Sequence, residues 1–213
     1  MKRGILITSP RHDLATSYLN HFSSEIVSFC KSKNINLKII HDSKVTRENF
    51  EKSVKKLNYN FLFLNGHGGP DIITGHNNEF LIKLGENENL LKDKFTYARS
   101  CWAAAGLGTS LGDNSKGCFI GYNIPFMFLH DKNRSATPNK DSITKPFFKT
   151  TNLIPVGILK GRSAKEVDDS SKRAMLKEMK KALMQKEEAL LETLWNNYVG
   201  QVVCGNKELT FND

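Results

Sequence analysis

Alternation of short, β-prone apolar runs with segments of helical period predicts one α/β domain spanning residues 1–213. Three observations carry that prediction. The runs Phe61-Leu-Phe-Leu-Asn65 and Phe95-Thr-Tyr-Ala-Arg-Ser100 are continuous and apolar, as strands buried on both faces are. Each lies between segments of helical spacing or turn chemistry. No internal repeat, low-complexity tract or clear linker divides the chain.

Taken in order, Gly4–Thr8 reads as a buried first strand, and Ser9-Pro10-Arg11-His12-Asp13 as the loop after it. Leu14, Tyr18, Phe22, Ile26 and Phe29 share one helical face, giving a helix from about Leu14 to Lys33. Ile35–Ile40 is a second strand. Thr46, with Glu48 and Asn49 close behind, opens a short helix that faces Val54 and Leu57 inward. Phe61–Asn65 is the third strand, stopped by Gly66. Gly68-Gly69-Pro70-Asp71 is a turn leading to Ile72–Gly75 and Glu79–Leu84, a small hairpin over the strand end. Phe95–Ser100 is the fourth strand, and Ala103–Leu111 a helix despite its glycines. Gly117–Tyr122 is the fifth strand. Ser135–Ser142 is polar and reads as a mobile loop, and Phe147–Leu159 fits helix or strand, since Pro155 and Gly157 weaken a helix. A long amphipathic helix is expected at about 165–199, with Val167, Met175, Met179, Leu183, Leu190, Leu194 and Tyr198 on its packing face. Val202–Gly205 closes the chain as a short strand.

Composition narrows the setting. Hydrophobic residues make up 39% and charged residues 25%, the balance of a soluble globular chain. No apolar run approaches the roughly 18 residues that span a bilayer, and the N-terminal run of about four is too short for a secretory signal. Cys30, Cys101, Cys118 and Cys204 are far apart, which suits free thiols in a reducing cytoplasm. The formal charge of +9 comes from scattered lysines without interleaved aromatics, so neither nucleic acid nor membrane is an expected partner.

The chemistry concentrates at two strand ends. His67 follows the third strand and Cys101 the fourth. In open α/β sheets reactive groups gather beyond the carboxyl ends of the strands. If these two strands are parallel neighbours, an imidazole base and a thiol nucleophile emerge together, the minimum equipment of a cysteine peptidase. A base is needed because a free thiol is mostly protonated at neutral pH. Gly66, Gly68 and Gly69 let the backbone approach a substrate, and the N–H groups of Gly68 and Cys101 suit an oxyanion hole. The other histidines, His12, His21, His41, His76 and His130, have no regular ligand spacing. No metal and no cofactor are therefore expected.

An apolar strand ending in His67-Gly68, followed by one ending in Ala98-Arg-Ser-Cys101, resembles the caspase-like superfamily of cysteine peptidases. The pattern is most similar to gingipain-like and prokaryotic CHAT domains. The separation of His67 and Cys101 (101 − 67 = 34) fits one crossover between adjacent strands. Gly117–Tyr122 looks like that family's strand after the nucleophile helix. Gln201–Asn206 looks like its closing strand, although Asn206-Lys207 stands where Asp-Pro is usual. The resemblance implies a three-layer caspase-like fold, a mostly parallel sheet of about six strands with helices on both faces. It also implies peptide-bond hydrolysis by a His67/Cys101 dyad on a protein or peptide substrate, with control by a separate regulatory protein.

In that superfamily the residue two before the nucleophile tends to line the pocket for the residue preceding the scissile bond. Here it is Arg99, and a guanidinium takes a carboxylate in a two-bond fork. Arg99 thus suggests an acidic preference, with Arg11 as a second basic wall. Equally, Arg99 fits an internal pair with Asp113 or Asp141. Two other readings compete: an amidotransferase-like hydrolase with His130 as base, which Arg99 and Trp102 crowd, and a catalytically silent binding or scaffold module.

Overall fold

A computed structural model of the chain describes residues 1–112 and 116–213. Its centre is a six-stranded sheet built from β1 (Lys2–Ser9), β2 (Leu37–His41), β3 (Tyr59–Asn65), β7 (Phe95–Arg99), β8 (Cys118–Tyr122) and β9 (Gln201–Gly205), in spatial order β2-β1-β3-β7-β8-β9. Neighbours pair in parallel except at the β8–β9 edge, where β9 runs antiparallel. Between β3 and β7 lies a second, three-stranded sheet, β4 (Gly68–Gly69), β5 (Ile72–Thr74) and β6 (Phe80–Lys83).

Successive side chains of a strand point to opposite faces, and both faces here are covered. Ile5, Ile7, Phe61, Phe63 and Tyr97 look toward α1 (Leu14–Ser32), α5 (Leu153–Leu159) and α6 (Ala164–Gln185), where Ile26, Ile158 and Val167 complete the core. Leu6, Leu62, Leu64 and Ala98 look the other way, onto Phe50 and Val54 of α2 (Arg47–Leu57) and onto Ile73 and Leu81 of the small sheet. A π-turn at Ala104–Gly108, running into α3 (Thr109–Gly112), adds Ala104 and Leu107 to that second face. The result is a three-layer α/β architecture, a mostly parallel six-stranded sheet with helices on both faces, consistent with a caspase-like fold.

Local sequence explains the helix starts. Asp13 caps α1, its carboxylate accepting from the Thr16 N–H at 2.8 Å, and Thr16 reciprocates in a capping box. Thr46 caps α2 by accepting from Asn49 N. Phe147–Leu159 is helical, in two pieces, α4 (Lys145–Thr151) and α5: Pro146 stands in the first turn of α4 and Pro155 in the first turn of α5, positions where no N–H is needed.

One expectation changes. The long helix at 165–199 is a helical hairpin: α6 stops at Gln185, Lys186 turns in the left-handed region (φ 58°, ψ 34°), and α7 (Glu188–Gly200) returns. Periodicity runs on across the break, so the apolar stripe hid it. Leu183, placed on the packing face, is accordingly exposed, whereas Met175, Met179 and Leu194 are buried. The segment Ser135–Ser142 is anchored at Asp141. That buried carboxylate accepts from the Tyr18 hydroxyl (2.8 Å) and the N–H groups of Asp131, Ile143 and Thr144.

Among the described residues no helix is long and apolar enough to cross a membrane.

Candidate active site at the carboxyl ends of the strands

The chain passes from β1 outward to β2 and then back across to β3 on β1's other side. Connections therefore diverge between the carboxyl ends of β1 and β3, the switch point where open α/β sheets bind their ligands. The loop after β1 delivers His12 and Asp13 to it, and the segment after β3 delivers His67. β7, on the far side of β3, delivers Cys101.

Register fixes the relation of the two candidate catalytic residues. Asn65 of β3 pairs with Arg99 of β7, an offset of 34 residues (99 − 65), and the same offset relates His67 to Cys101. Both follow adjacent parallel strands at the same level, two residues beyond the last pair. The two segments are joined there by a side chain: the Ser100 hydroxyl donates to the His67 carbonyl at 2.9 Å. A Cβ on Gly68 would stand 3.0 Å from the Cys101 carbonyl and collide with Ser100 Oγ. Glycine is what lets these segments touch. Gly66 serves in the same way for the small sheet, since a side chain there would strike the Thr74 carbonyl.

The small sheet is bonded onto the histidine loop. Thr74 N donates to the His67 carbonyl at 2.9 Å, and Gly68 faces Ile73 across the ladder. This is a non-hydrogen-bonded pair, so the Gly68 N–H takes no part in the ladder. That N–H lies in a segment that touches the Cys101 backbone.

The His67 ring is held by Asp13, with Nε2 to Oδ2 at 2.6 Å. Burial works to raise the Asp13 pKa, but hydrogen bonds from the Thr16 N–H and hydroxyl, and from His67, outweigh it and hold the carboxyl at about 2. Asp13 is thus ionised at neutral pH. It favours the tautomer with the proton on Nε2, leaving Nδ1 as the lone-pair nitrogen. A base oriented by a carboxylate is the arrangement found in catalytic triads. Sequence reasoning missed Asp13, because its helix-capping pattern accounts for it locally. The available signal was its position in the loop after the first strand of a parallel sheet.

Cys101 is half-buried, and its thiol donates to the Phe126 carbonyl at 3.8 Å. Burial pushes this thiol's pKa up. Among the described residues no hydrogen bond joins the sulfur to the His67 ring. The next residue, Trp102, sits at φ 55° and is partly exposed. A bulky side chain in the left-handed region is a strained backbone, and such strain persists where the surroundings over-determine it, often beside a reactive group.

Arg99 does not line an open pocket. Its side chain is fully buried, with Nε donating to Asn65 Oδ1 (2.9 Å), one terminal nitrogen to Asn152 Oδ1 (2.9 Å) and the other to Ser23 Oγ (2.8 Å). Its guanidinium lies over the rings of Phe63 (4.6 Å) and Phe148 (5.3 Å). The substrate-binding role expected of Arg99 is therefore corrected: as a β7 residue it points into the α1 layer, where neutral acceptors enclose it. The alternative pairing with Asp141 is not formed either, since Tyr18 and backbone amides occupy that carboxylate. Asp113 lies outside the described residues. Arg11 is exposed on the loop after β1, beside the histidine cluster. His130, the base of the amidotransferase-like reading, packs on the Tyr18 ring at 5.8 Å.

One ligand atom each from His12, Asp13 and His67 lies within 4.8 Å of the others, so among the described residues these three side chains could hold a metal ion. His12 and His67 are 55 residues apart (67 − 12), which is why linear spacing gave no hint of the cluster.

No protein-family model matches the chain, and no curated protein sequence matches it significantly.

Proposed function

We propose that the chain is a cysteine endopeptidase in which Cys101 is the nucleophile, His67 the base and Asp13 the residue that positions His67. One observation carries the reading: the β3–β7 register sets His67 and Cys101 at the same level beyond adjacent parallel strands. In the reaction His67 Nδ1 takes the thiol proton, and the thiolate attacks the peptide carbonyl carbon. The oxyanion is received by the Gly68 and Cys101 N–H groups. The imidazolium, stabilised by Asp13, then protonates the leaving amine as the C–N bond breaks. Water activated by the same ring hydrolyses the thioester and frees the sulfur.

The resting thiol must first turn from the Phe126 carbonyl toward the ring. Substrate binding supplies that turn at a basal rate, and a regulatory protein that displaces the Phe126 segment would raise the rate above it. Arg11 is the cation that remains to receive an acidic side chain before the scissile bond, now that Arg99 is enclosed. Four free cysteines fit a cytoplasmic, reducing setting.

The test is a fluorogenic peptide panel with Asp, Glu, Arg or Lys before the scissile bond, run on the wild type, Cys101→Ala and His67→Ala. Hydrolysis abolished by either substitution is expected, and Asp13→Asn should lower kcat by about 100-fold or more, through the wrong tautomer. Preference for Arg or Lys would sink the role given to Arg11. The silent-module reading has one observation in its favour, the thiol bonded to Phe126 instead of His67. It wins if no peptide in the panel, nor an unfolded protein, is cut.

A further inference from the structure

The switch point between β1 and β3 holds a polar side chain that the proposed hydrolysis does not use. The His12 side chain is nine-tenths buried (9% exposed), yet neither of its ring nitrogens has a hydrogen-bond partner. Leaving both nitrogens of a buried imidazole unpaired costs free energy, and native structures rarely do so without a ligand, ion or water to satisfy them. The ring is aimed at the cluster. Its Nε2 stands 3.7 Å from Asp13 Oδ2, the same oxygen that holds His67 Nε2 at 2.6 Å. The His12 ring meets the His67 ring edge-on at 6.0 Å, and His76 closes the far side at 5.3 Å, its own Nδ1 also buried and unpartnered.

From this geometry we infer that His12, Asp13 and His67 form a binding site for a divalent transition-metal ion of the zinc class, and that the bound ion silences His67. Two imidazoles and a carboxylate are zinc-type donors, and three protein ligands with an open fourth position are usual where such an ion meets solvent. Ligands about 2.0–2.2 Å from a tetrahedral zinc stand roughly 3.3–3.6 Å apart. The 3.7 Å separation lies just above this range, the 2.6 Å pair has to open by about an ångström or less as the metal replaces the hydrogen bond, and the two imidazoles already stand within 4.8 Å of each other. The side chains come from two loops at a switch point, so this adjustment needs no change in the sheet.

The chemical consequence follows from the ring. With the metal on Nε2, a neutral imidazole keeps its proton on Nδ1, and Nδ1 then cannot accept the thiol proton of Cys101. The metal also removes Asp13 from the imidazolium it would stabilise. This silencing rests on the peptidase reading; metal binding itself does not.

The experiment therefore reads binding and activity separately. Zn2+ is titrated by calorimetry into the full chain, and Co2+ by visible absorption, with the wild type, His12→Ala, His12→Gln and Cys101→Ser. Circular dichroism confirms the fold of each. One Zn2+ per chain is expected, with affinity lowered about 100-fold or more in both His12 variants, as loss of one of three ligands requires. Cys101→Ser should bind as the wild type does, and Co2+ should give ligand-field bands without a thiolate charge-transfer band. Peptide hydrolysis, each protein compared with its own metal-free rate, should be inhibited by Zn2+ in the wild type and resist it in His12→Gln. Absence of binding, or equal affinity in folded His12→Gln, overturns the metal site and leaves the peptidase reading standing. Binding without inhibition of an active enzyme overturns the silencing. Binding by a metal-free chain that cuts no peptide supports the site and refutes the peptidase reading instead.

Discussion

Replacing Arg99 decides between a specificity residue and an internal strut. The guanidinium is wholly enclosed and gives three hydrogen bonds of 2.8–2.9 Å to Asn65, Asn152 and Ser23. Hydrogen bonds from a charged donor are worth about 1.5–3 kcal/mol each, and their sum is reduced because the charge itself is costly to bury. Burial indeed depresses the Arg99 pKa to about 10. Arg99→Ala removes the donors, strands three buried acceptors and leaves a cavity between Phe63 and Phe148. A net loss of about 3–5 kcal/mol is expected. For a chain of this length each kcal/mol moves Tm by about 2–4 °C, so Tm should fall by roughly 6–20 °C. Arg99→Lys, with one point charge in place of a fork, should fall by less, yet measurably. The assay is thermal unfolding followed by circular dichroism, beside the peptide panel. A Tm within about 2 °C of wild type together with a changed preference before the scissile bond would refute the enclosed-strut reasoning.

The remaining predictions are local. Gly68→Ala should reduce hydrolysis at least about tenfold, because its Cβ meets Ser100 Oγ and stands within 3.0 Å of the Ile72 and Cys101 carbonyls; unchanged kcat would remove Gly68 from the oxyanion role. Without substrate, iodoacetamide should modify Cys101 more slowly at pH 7.5 than it modifies a free thiol, with the rate climbing as pH rises past the ordinary thiol value. The folded chain holds this proton more tightly than the unfolded chain does, so the same group makes stability fall as pH rises above about 8.5. Rapid labelling at neutral pH that collapses in His67→Ala would mean that the thiol already rests on the ring. Lys186→Gly relieves a left-handed residue at the end of α6 and should raise stability by about 0.5–1 kcal/mol, read as a Tm increase of about 1–4 °C; a lower Tm would count against strain at that corner.

Much of the fold was legible because its signals are local. Continuous apolar runs marked strands buried on both faces, such as β3, and Asp13 and Thr46 stood at helix starts where side-chain acceptors satisfy free N–H groups. What escaped was also local in kind. The break at Lys186 needs one residue in the left-handed region, which lysine does not advertise and which leaves the helical stripe nearly unshifted. At the site, His67, Gly68 and Cys101 were readable from strand-end position, whereas Asp13 was hidden behind its capping role.

By itself, the sequence determined the α/β class, the strand ends that carry His67 and Cys101, and an offset of 34 residues between them. Only the tertiary structure decided that β3 and β7 pair at that same offset, because register depends on which strands become neighbours and on the faces they bury. It alone decided between the open and internal readings of Arg99, since its partners Asn65, Ser23 and Asn152 come from three separate elements that converge only in the fold. It alone brought His12 and Asp13 to His67, because a switch point between β1 and β3 is a property of strand order, and strand order is not written in any one stretch of chain.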